Sequence, residues 1–415
     1  IYLFFLRQER FPRTPDNTAL PIYITVSILS LPKIDTLDLS FTADFVLTMM
    51  WVDPRLSFYD LRGATDLNTL SNALQLSIWS PVLSFTNAKI IGGTKVDSTV
   101  ETIIERNGKP APDNIIRAVE ANVYAGVDSN IIMKREYFID WTCDYDLIYY
   151  PFDTQVCKML FDMTGGTKDY LNMAVDEDGV EYLGEEYLLE YRVGGMLLKT
   201  INDTEAKYAS MKVSLILTRR WFYHGISVFL QSILLLVVAY MTFYYRVDNF
   251  QDRVMVSITC MLVIANVQSS INEMVPKTSY LKMIDYFLIY SFNIIIVVMA
   301  YHTYQAAHVA EDFAPNKNDK AMERLKKLGP GGRSSPGEKN KLWNSFFVEG
   351  GEPVDKLADA RRINKQGQII FVVAFVLFQF VFWCVGLVEN LSAKDVHKLT
   401  DLAEYYEDLA KKKII

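Results

Sequence analysis

The sequence predicts a β-rich domain followed by a bundle of four membrane-spanning helices. Three observations carry that reading. Residues 225–245, 254–272, 286–310 and 366–388 are apolar and contain no Asp, Glu, Lys or Arg. About 20 helical residues cross a hydrocarbon layer of roughly 30 Å, and each stretch is long enough. All 42 basic and 49 acidic side chains lie outside these stretches, so the remainder carries the charge density of an ordinary soluble domain. Finally, residues 20–220 alternate apolar and polar side chains in short runs, the period of half-buried strands.

In chain order, residues 1–220 read as an antiparallel β-sandwich. Ile22-Tyr-Ile-Thr-Val-Ser-Ile, Leu37 to Leu47 and Met211-Lys-Val-Ser-Leu-Ile-Leu alternate, and Gly92-Gly93, Gly165-Gly166 and Gly194-Gly195 punctuate the runs. Ile1 to Phe5 is too short for a signal peptide and lacks a small-residue cleavage site. A fifth charge-free run, 67–88, is no span, because ten of its 22 residues are Ser, Thr, Asn or Gln and Pro81 interrupts it. Residues 221–310 hold the first three spans. Residues 311–365 form a cytoplasmic loop around the linker Gly329-Pro-Gly-Gly-Arg-Ser-Ser-Pro-Gly. The fourth span is 366–388, and 389–415 is a tail with Val396, Leu399, Ala403, Tyr406 and Ala410 at helical spacing.

Net charge is −7, which argues against a nucleic-acid partner. Four cysteines are too few for a disulfide scaffold. Cys260 and Cys384 fall inside spans and read as small buried hydrophobes, whereas Cys143 and Cys157 enclose 13 residues. A disulfide closing such a loop would be worth about 3 kcal/mol and would need an oxidising compartment. Four spans put both ends of the chain on one side. The glycosylation sequons at Asn202 and Asn390, one before the spans and one after, agree with both ends being extracellular.

The second span carries a polar stripe. Met255, Thr259, Leu262, Asn266, Ser269 and Glu273 are spaced by three or four and share one helix face, while Val256, Val263, Ile264 and Val267 lie opposite. Such a stripe needs protein or water beside it. It reads either as polar glue within one bundle or as the lining of a pore built from several copies. In the second case Leu262 forms a dry gate, and Asp252 and Glu273 mark the two ends.

Cys143-Asp-Tyr-Asp-Leu-Ile-Tyr-Tyr-Pro-Phe-Asp-Thr-Gln-Val-Cys157 resembles the signature loop of the Cys-loop receptors, the pentameric ligand-gated ion channels. Trp51-Val-Asp-Pro-Arg-Leu56, Ile78-Trp-Ser-Pro81, Arg219-Arg220, Pro276-Lys-Thr-Ser-Tyr280 and Asp285 are also similar to family motifs. The resemblance runs from about Leu20 to Leu387. It implies a plasma-membrane homopentamer with extracellular sandwiches, agonist bound between neighbouring copies, ions passing along the second spans, and membrane lipid outside. The implied disulfide is Cys143 to Cys157. The implied coupling residues are Tyr150, Pro151, Phe152, Asp153, Arg219 and Pro276, an acidic loop tip facing an arginine being able to exchange ion pairs.

Anion-selective members carry Pro-Ala before the basic residue at the inner end of the pore helix. Gln251-Asp252 precedes Arg253 here, which resembles the cation-selective pattern. The expectation is therefore a cation-preferring channel gated by a small molecule. The alternatives are an anion-selective channel, to which the 51–56 and 276–285 motifs look closer, and a non-conducting sensing or assembly subunit. Met255 departs from the small or hydroxylated residue usual at its position. Trp221 and Gln231 replace family prolines, so a less kinked first helix is expected. Carrying the ligand cage over by position gives Thr86, Thr164 and Tyr208 on the principal face and Val46 on the complementary face, with Ile132 and Lys134 nearby. Only Tyr208 is aromatic, and no adjacent cysteine pair lies near Thr200, which argues against acetylcholine. Lys134 would meet an anionic group or remain a solvated lysine. No enzyme, cofactor or metal site is expected: the four histidines are scattered and there is no phosphate-cradling loop.

Overall fold

In the computed structural model, residues 12, 14, 18–89, 95–96, 100–110, 122–201, 205–246, 249–313 and 356–394 are described. They fall into two units: Ile1–Leu147 with Phe152–Arg220 and Glu389–Ile415, and Ile148–Pro151 with Trp221–Val388.

In the first unit the alternation becomes a sandwich. One sheet runs β10 (Leu171–Tyr182), β1 (Leu20–Asp35), β2 (Ser40–Val52), β8 (Ser129–Thr142) and β5 (Lys95–Val96), with β6 (Glu101–Arg106) also on β8. The other runs β11 (Tyr191–Ile201), β12 (Ser210–Arg219), β9 (Thr154–Met163) and β4 (Leu83–Phe85). A short ribbon pairs β3 (Ser57–Tyr59) with β7 (Val123–Ala125). Pairing is antiparallel except that β1 and β10 run parallel, a departure from the all-antiparallel expectation. Ile22, Ile24, Val26 and Ile28 of β1 are buried while Tyr23, Thr25 and Ser27 point out. The same parity sends Phe45, Trp141 and Phe161 inward, where Phe85 meets Trp141 and Phe161 at 5.6 and 5.7 Å between ring centroids. Each such side chain contributes on the order of 1.5–3 kcal/mol by leaving water. The Cys143–Cys157 disulfide joins the end of β8 to β9 and so ties the two sheets together.

The Trp51 to Leu56 motif is a structural turn. Asp53, 1% exposed, accepts Arg55 Nε and Nη2 at 2.9 and 2.8 Å. Gly126 lies so close beneath that a Cβ there would sit 2.2 Å from the Asp53 carbonyl oxygen.

The second unit holds four helices long and apolar enough to cross a membrane: Phe222–Tyr244, Phe250–Met274, Met283–Ala307 and Arg361–Val388. The third continues to Phe313 and the fourth belongs to one helix, Lys356–Lys394. The first span is less regular than its lack of proline suggested. A π-helical segment, Gly225–Leu230, lies between α-helical turns, and Thr242–Tyr244 closes as a 3-10 turn. Aromatic stacking binds the third and fourth spans, Tyr290 lying on Phe378 with centroids 3.5 Å apart and Phe287 meeting Phe382 at 5.0 Å. Gly367 allows the close approach of the fourth span, since a Cβ there would come within 2.9 Å of the Phe243 ring. Cys260 is buried as expected, but Cys384 is exposed on the outside of the bundle. Residues 314–355, from the expected cytoplasmic loop, and 395–415, from the expected tail, lie outside the described residues.

Candidate functional site

The outward face of β4, β9 and β12 gathers the expected principal-face residues. Thr86 and Thr164 are exposed, and the amide of Thr164 donates to the Val82 carbonyl at 3.0 Å. The Met163 amide donates to Ala209, so continuing the β9–β12 register sets Tyr208 across from Thr164. Aromatic residues flank these positions in sequence, yet strand parity turns Phe161 into the core and half-buried Phe85 against it, and leaves Thr86 and Asp162 outside. Asp162 was missed in the sequence. Its carboxylate accepts the Thr86 hydroxyl at 2.9 Å, and Ser84 and Ser210 sit opposite it on the neighbouring strands. Tyr208 has the Lys207 ammonium over its ring, 5.2 Å from the centroid, so a cation of the chain already occupies that face.

Val46, Ile132 and Lys134 lie on the other sheet, on its outward face. Lys134 is exposed, opposite Thr48 on β2 and Glu101 on β6. Within one copy the two groups of residues therefore belong to different sheets.

Among the expected coupling residues, Asp153 and Arg219 meet directly. Arg219 Nε and Nη2 donate to the Asp153 carboxylate at 2.8 and 3.2 Å, with both side chains 2% exposed. Gln155 donates a further bond to Asp153 at 2.5 Å, and the Tyr191 ring lies 4.6 Å from the guanidinium carbon. Burial pushes the Tyr191 and Tyr145 phenols well above their ordinary range, and Arg219 opposes the shift. Phe152 is buried beside this pair in the chain. Tyr150 and Pro151, also buried, belong to the helical unit. There the carbonyls of Ile148 and Tyr150 accept the Met283 and Ile284 amides at 2.8 and 3.2 Å. A helix's first N–H groups have no partner within it, so the loop caps the third span. This contact was not legible in the sequence. Tyr150 Oη also meets His224 Nε2 at 3.2 Å. Pro276 is half-buried in the same unit.

On the second span, Asp252, Met255, Thr259, Leu262, Asn266, Ser269 and Glu273 are all exposed on the protomer, Met255 and Leu262 by 63% and 61%. The opposite face buries Arg253, Ser257, Cys260, Ile264 and Ile271. Asp252 accepts the Asn249 side-chain amide, and Asn249 leaves the helix start without a side-chain cap. Of the two sequons, Asn202 lies outside the described residues. Asn390 is helical and 5% exposed.

Residues 6–221 match the neurotransmitter-gated ion-channel ligand binding domain, more than half of the chain, ending where the sandwich ends. The chain belongs to the Cys-loop receptor family of neurotransmitter-gated ion channels. It is a multi-pass plasma-membrane channel subunit with an extracellular sandwich, and not an enzyme. The receptor subunit is 23% identical to the gamma-aminobutyric acid receptor subunit rho-1 of Homo sapiens, across 88% of this chain and 80% of that one. It is 23% identical to a glutamate-gated chloride channel of Drosophila melanogaster, across 64% and 54%. With the glycine receptor subunit beta of Rattus norvegicus it shares 24% identity, across 66% and 53%.

Proposed function

We propose that the subunit forms a homopentameric, amino-acid-gated channel that conducts anions through a pore lined by the exposed face of its second span. The observation that carries the ligand class is the pairing of charges on the two outward sheet faces. Asp162, set among Thr86, Thr164 and Tyr208, offers a carboxylate to an amine, and Lys134, beside Val46 and Ile132, offers an ammonium to a carboxylate. A small zwitterion bound between neighbouring copies would use both. The relatives named for gamma-aminobutyric acid, glutamate and glycine agree with that chemistry.

Anion conduction is the alternative to the cation preference expected from Gln251-Asp252, and the relative named as a chloride channel favours it. A physical source of positive potential is available. Each second span begins at Phe250, and its first-turn N–H groups carry about half a positive charge toward the inner mouth, opposed by Asp252 in the same turn. Asp252 and Glu273, both exposed on the same face, are the specific observation for the second reading, a cation channel.

Ion replacement on the expressed channel separates the two. Exchanging external chloride for an impermeant anion should move the reversal potential; a shift with sodium replacement alone would establish the cation reading. Because a dry leucine ring favours closure, Leu262→Ser should produce leak current without added agonist. Silence of that variant at the cell surface would mean a non-conducting subunit. Glycine, glutamate and gamma-aminobutyric acid are the first agonists to apply. If one activates, Asp162→Asn and Lys134→Met should each weaken it by about tenfold or more.

A further inference from the structure

Arg253 sits in the first turn of the second span, where a helix dipole disfavours a cation, yet it is 1% exposed. Its environment explains the choice. Nη2 donates to the Tyr245 carbonyl at 2.6 Å and to the Phe243 carbonyl at 3.1 Å, the unpaired acceptors at the end of the first span. Nη1 donates to Gln305 Oε1 of the third span at 2.6 Å and approaches His302 Nδ1 at 3.4 Å. Asn364, on the helix of the fourth span, accepts from Nη2 at 3.2 Å and donates to the Phe243 carbonyl at 2.8 Å. His302 Nε2 completes the cluster at 2.7 Å from Thr242 Oγ1, whose own proton goes to the Ala239 carbonyl at 2.6 Å. One guanidinium thus meets groups from the other three helices.

The rest of the second span has nothing comparable. Ser257, Thr259 and Ser270 donate to carbonyls of their own helix. Among the described residues, no other side chain of this span hydrogen-bonds to another span. Apolar contacts alone leave a helix free to turn, whereas a fork with fixed donor directions does not. Met255 is two residues on, about 200° around the helix, and Ser257 is about 40° away. The former is 63% exposed and the latter fully buried.

We propose that Arg253 is a positioning residue that fixes the rotation of the inner end of the second span, with Asn364 and Gln305 as its holders. Holding the guanidinium inside turns Asp252 and Met255 outward and keeps the one cation of this turn off the exposed face. The proposal deepens the reading of that face as the pore, and makes ion selectivity depend on two amides remote from it.

The test needs neither agonist nor current, so it stands apart from the selectivity and ligand readings. In the full-length protein in nanodiscs, with Cys260→Ala and Cys384→Ser, single thiols are introduced by Met255→Cys or Ser257→Cys. Their reaction rates with a cationic methanethiosulfonate are compared. The Met255→Cys thiol should react much faster. Asn364→Leu, or Gln305→Met if the first variant does not assemble, should shrink the ratio of the two rates by about tenfold. Asn364→Asp, which keeps an acceptor oxygen for Arg253, should restore it. An unchanged ratio in an assembled Asn364→Leu or Gln305→Met variant would overturn the proposal. So would failure of Asn364→Asp to restore a ratio that Asn364→Leu had lost.

Discussion

Arg219 in the sandwich and Arg253 in the helical unit are buried to a similar depth and held in different ways. Arg219 lies against a carboxylate with two hydrogen bonds, and Asp153 is itself steadied by Gln155. Arg253 is surrounded by carbonyl and amide oxygens from several helices, each giving a fraction of the solvation it left behind. The first arrangement concentrates most of the interaction in one buried carboxylate, with the exposed Glu190 carboxylate at 3.7 Å and the Tyr191 ring beside it. The second distributes it over elements far apart in sequence, so that it reports on their mutual arrangement. A concentrated pair should fail abruptly when one member is lost, and a distributed cluster should weaken by degrees.

Breaking the concentrated pair is the largest expected effect. Asp153→Ala leaves a buried guanidinium with only the exposed Glu190 carboxylate, 3.7 Å away, and should cost about 3–5 kcal/mol, seen as loss of surface channel and a lower melting temperature. Replacing both members, Asp153→Leu with Arg219→Leu, should recover a large part of that loss, because no charge remains to be solvated. If the double variant melts no higher than Asp153→Ala, the ion pair has a role beyond mutual neutralisation.

Arg253→Lys keeps the charge but replaces a planar fork with a point donor. It should cost about 1.5–3 kcal/mol for each charged bond that lysine cannot remake, read from the melting temperature of the purified protein. Asn364→Leu, which removes one acceptor among several, should cost about 1 kcal/mol. A loss as large as that of Asp153→Ala would mean the cluster is not distributed after all.

The smallest effect belongs to a half-exposed charge. At the β1–β2 turn the Asp38 amide holds the Asp35 carboxyl below its usual range, with Lys33 adding to the shift. A carboxylate with a depressed folded value stabilises above its unfolded pKa, near 4, and loses that contribution as pH falls through the folded value. Asp35→Asn should therefore flatten the acid limb of the stability profile slightly, by less than about 1 kcal/mol.

Much of this organisation was visible in the residues. Runs without charge mark spans because a bilayer excludes unpaired charge, and spacings of three and four place Met255 to Glu273 on one face whatever the tertiary packing. The Asp153–Arg219 contact could be expected from the loop motif. Asp162 could have been found by strand parity: alternation that turns Phe85 and Phe161 toward the core must turn their neighbours outward. The interior position of Arg253 could not, since an arginine at a span's end ordinarily marks the membrane boundary. Its acceptors are backbone and amide oxygens contributed by distant residues. The capping of the third span by Ile148 and Tyr150 was hidden for the same reason, because carbonyls leave no trace in a sequence. The π-helical turn at Gly225–Leu230 shows that removing prolines does not by itself make a helix regular.

Ser257, Thr259 and Ser270 turn their hydroxyls back to their own helix, and in the proposed pore this shapes what an ion would meet. Thr259 and Ser270, both exposed, give their protons to carbonyls four residues back and present only lone pairs to the outside. Lone pairs welcome a cation directly, whereas chloride must be met there by water turned to offer its protons. Asn266, exposed between them and with no partner for its two amide protons among the described residues, is a side chain on this face equipped to take water's place around an anion.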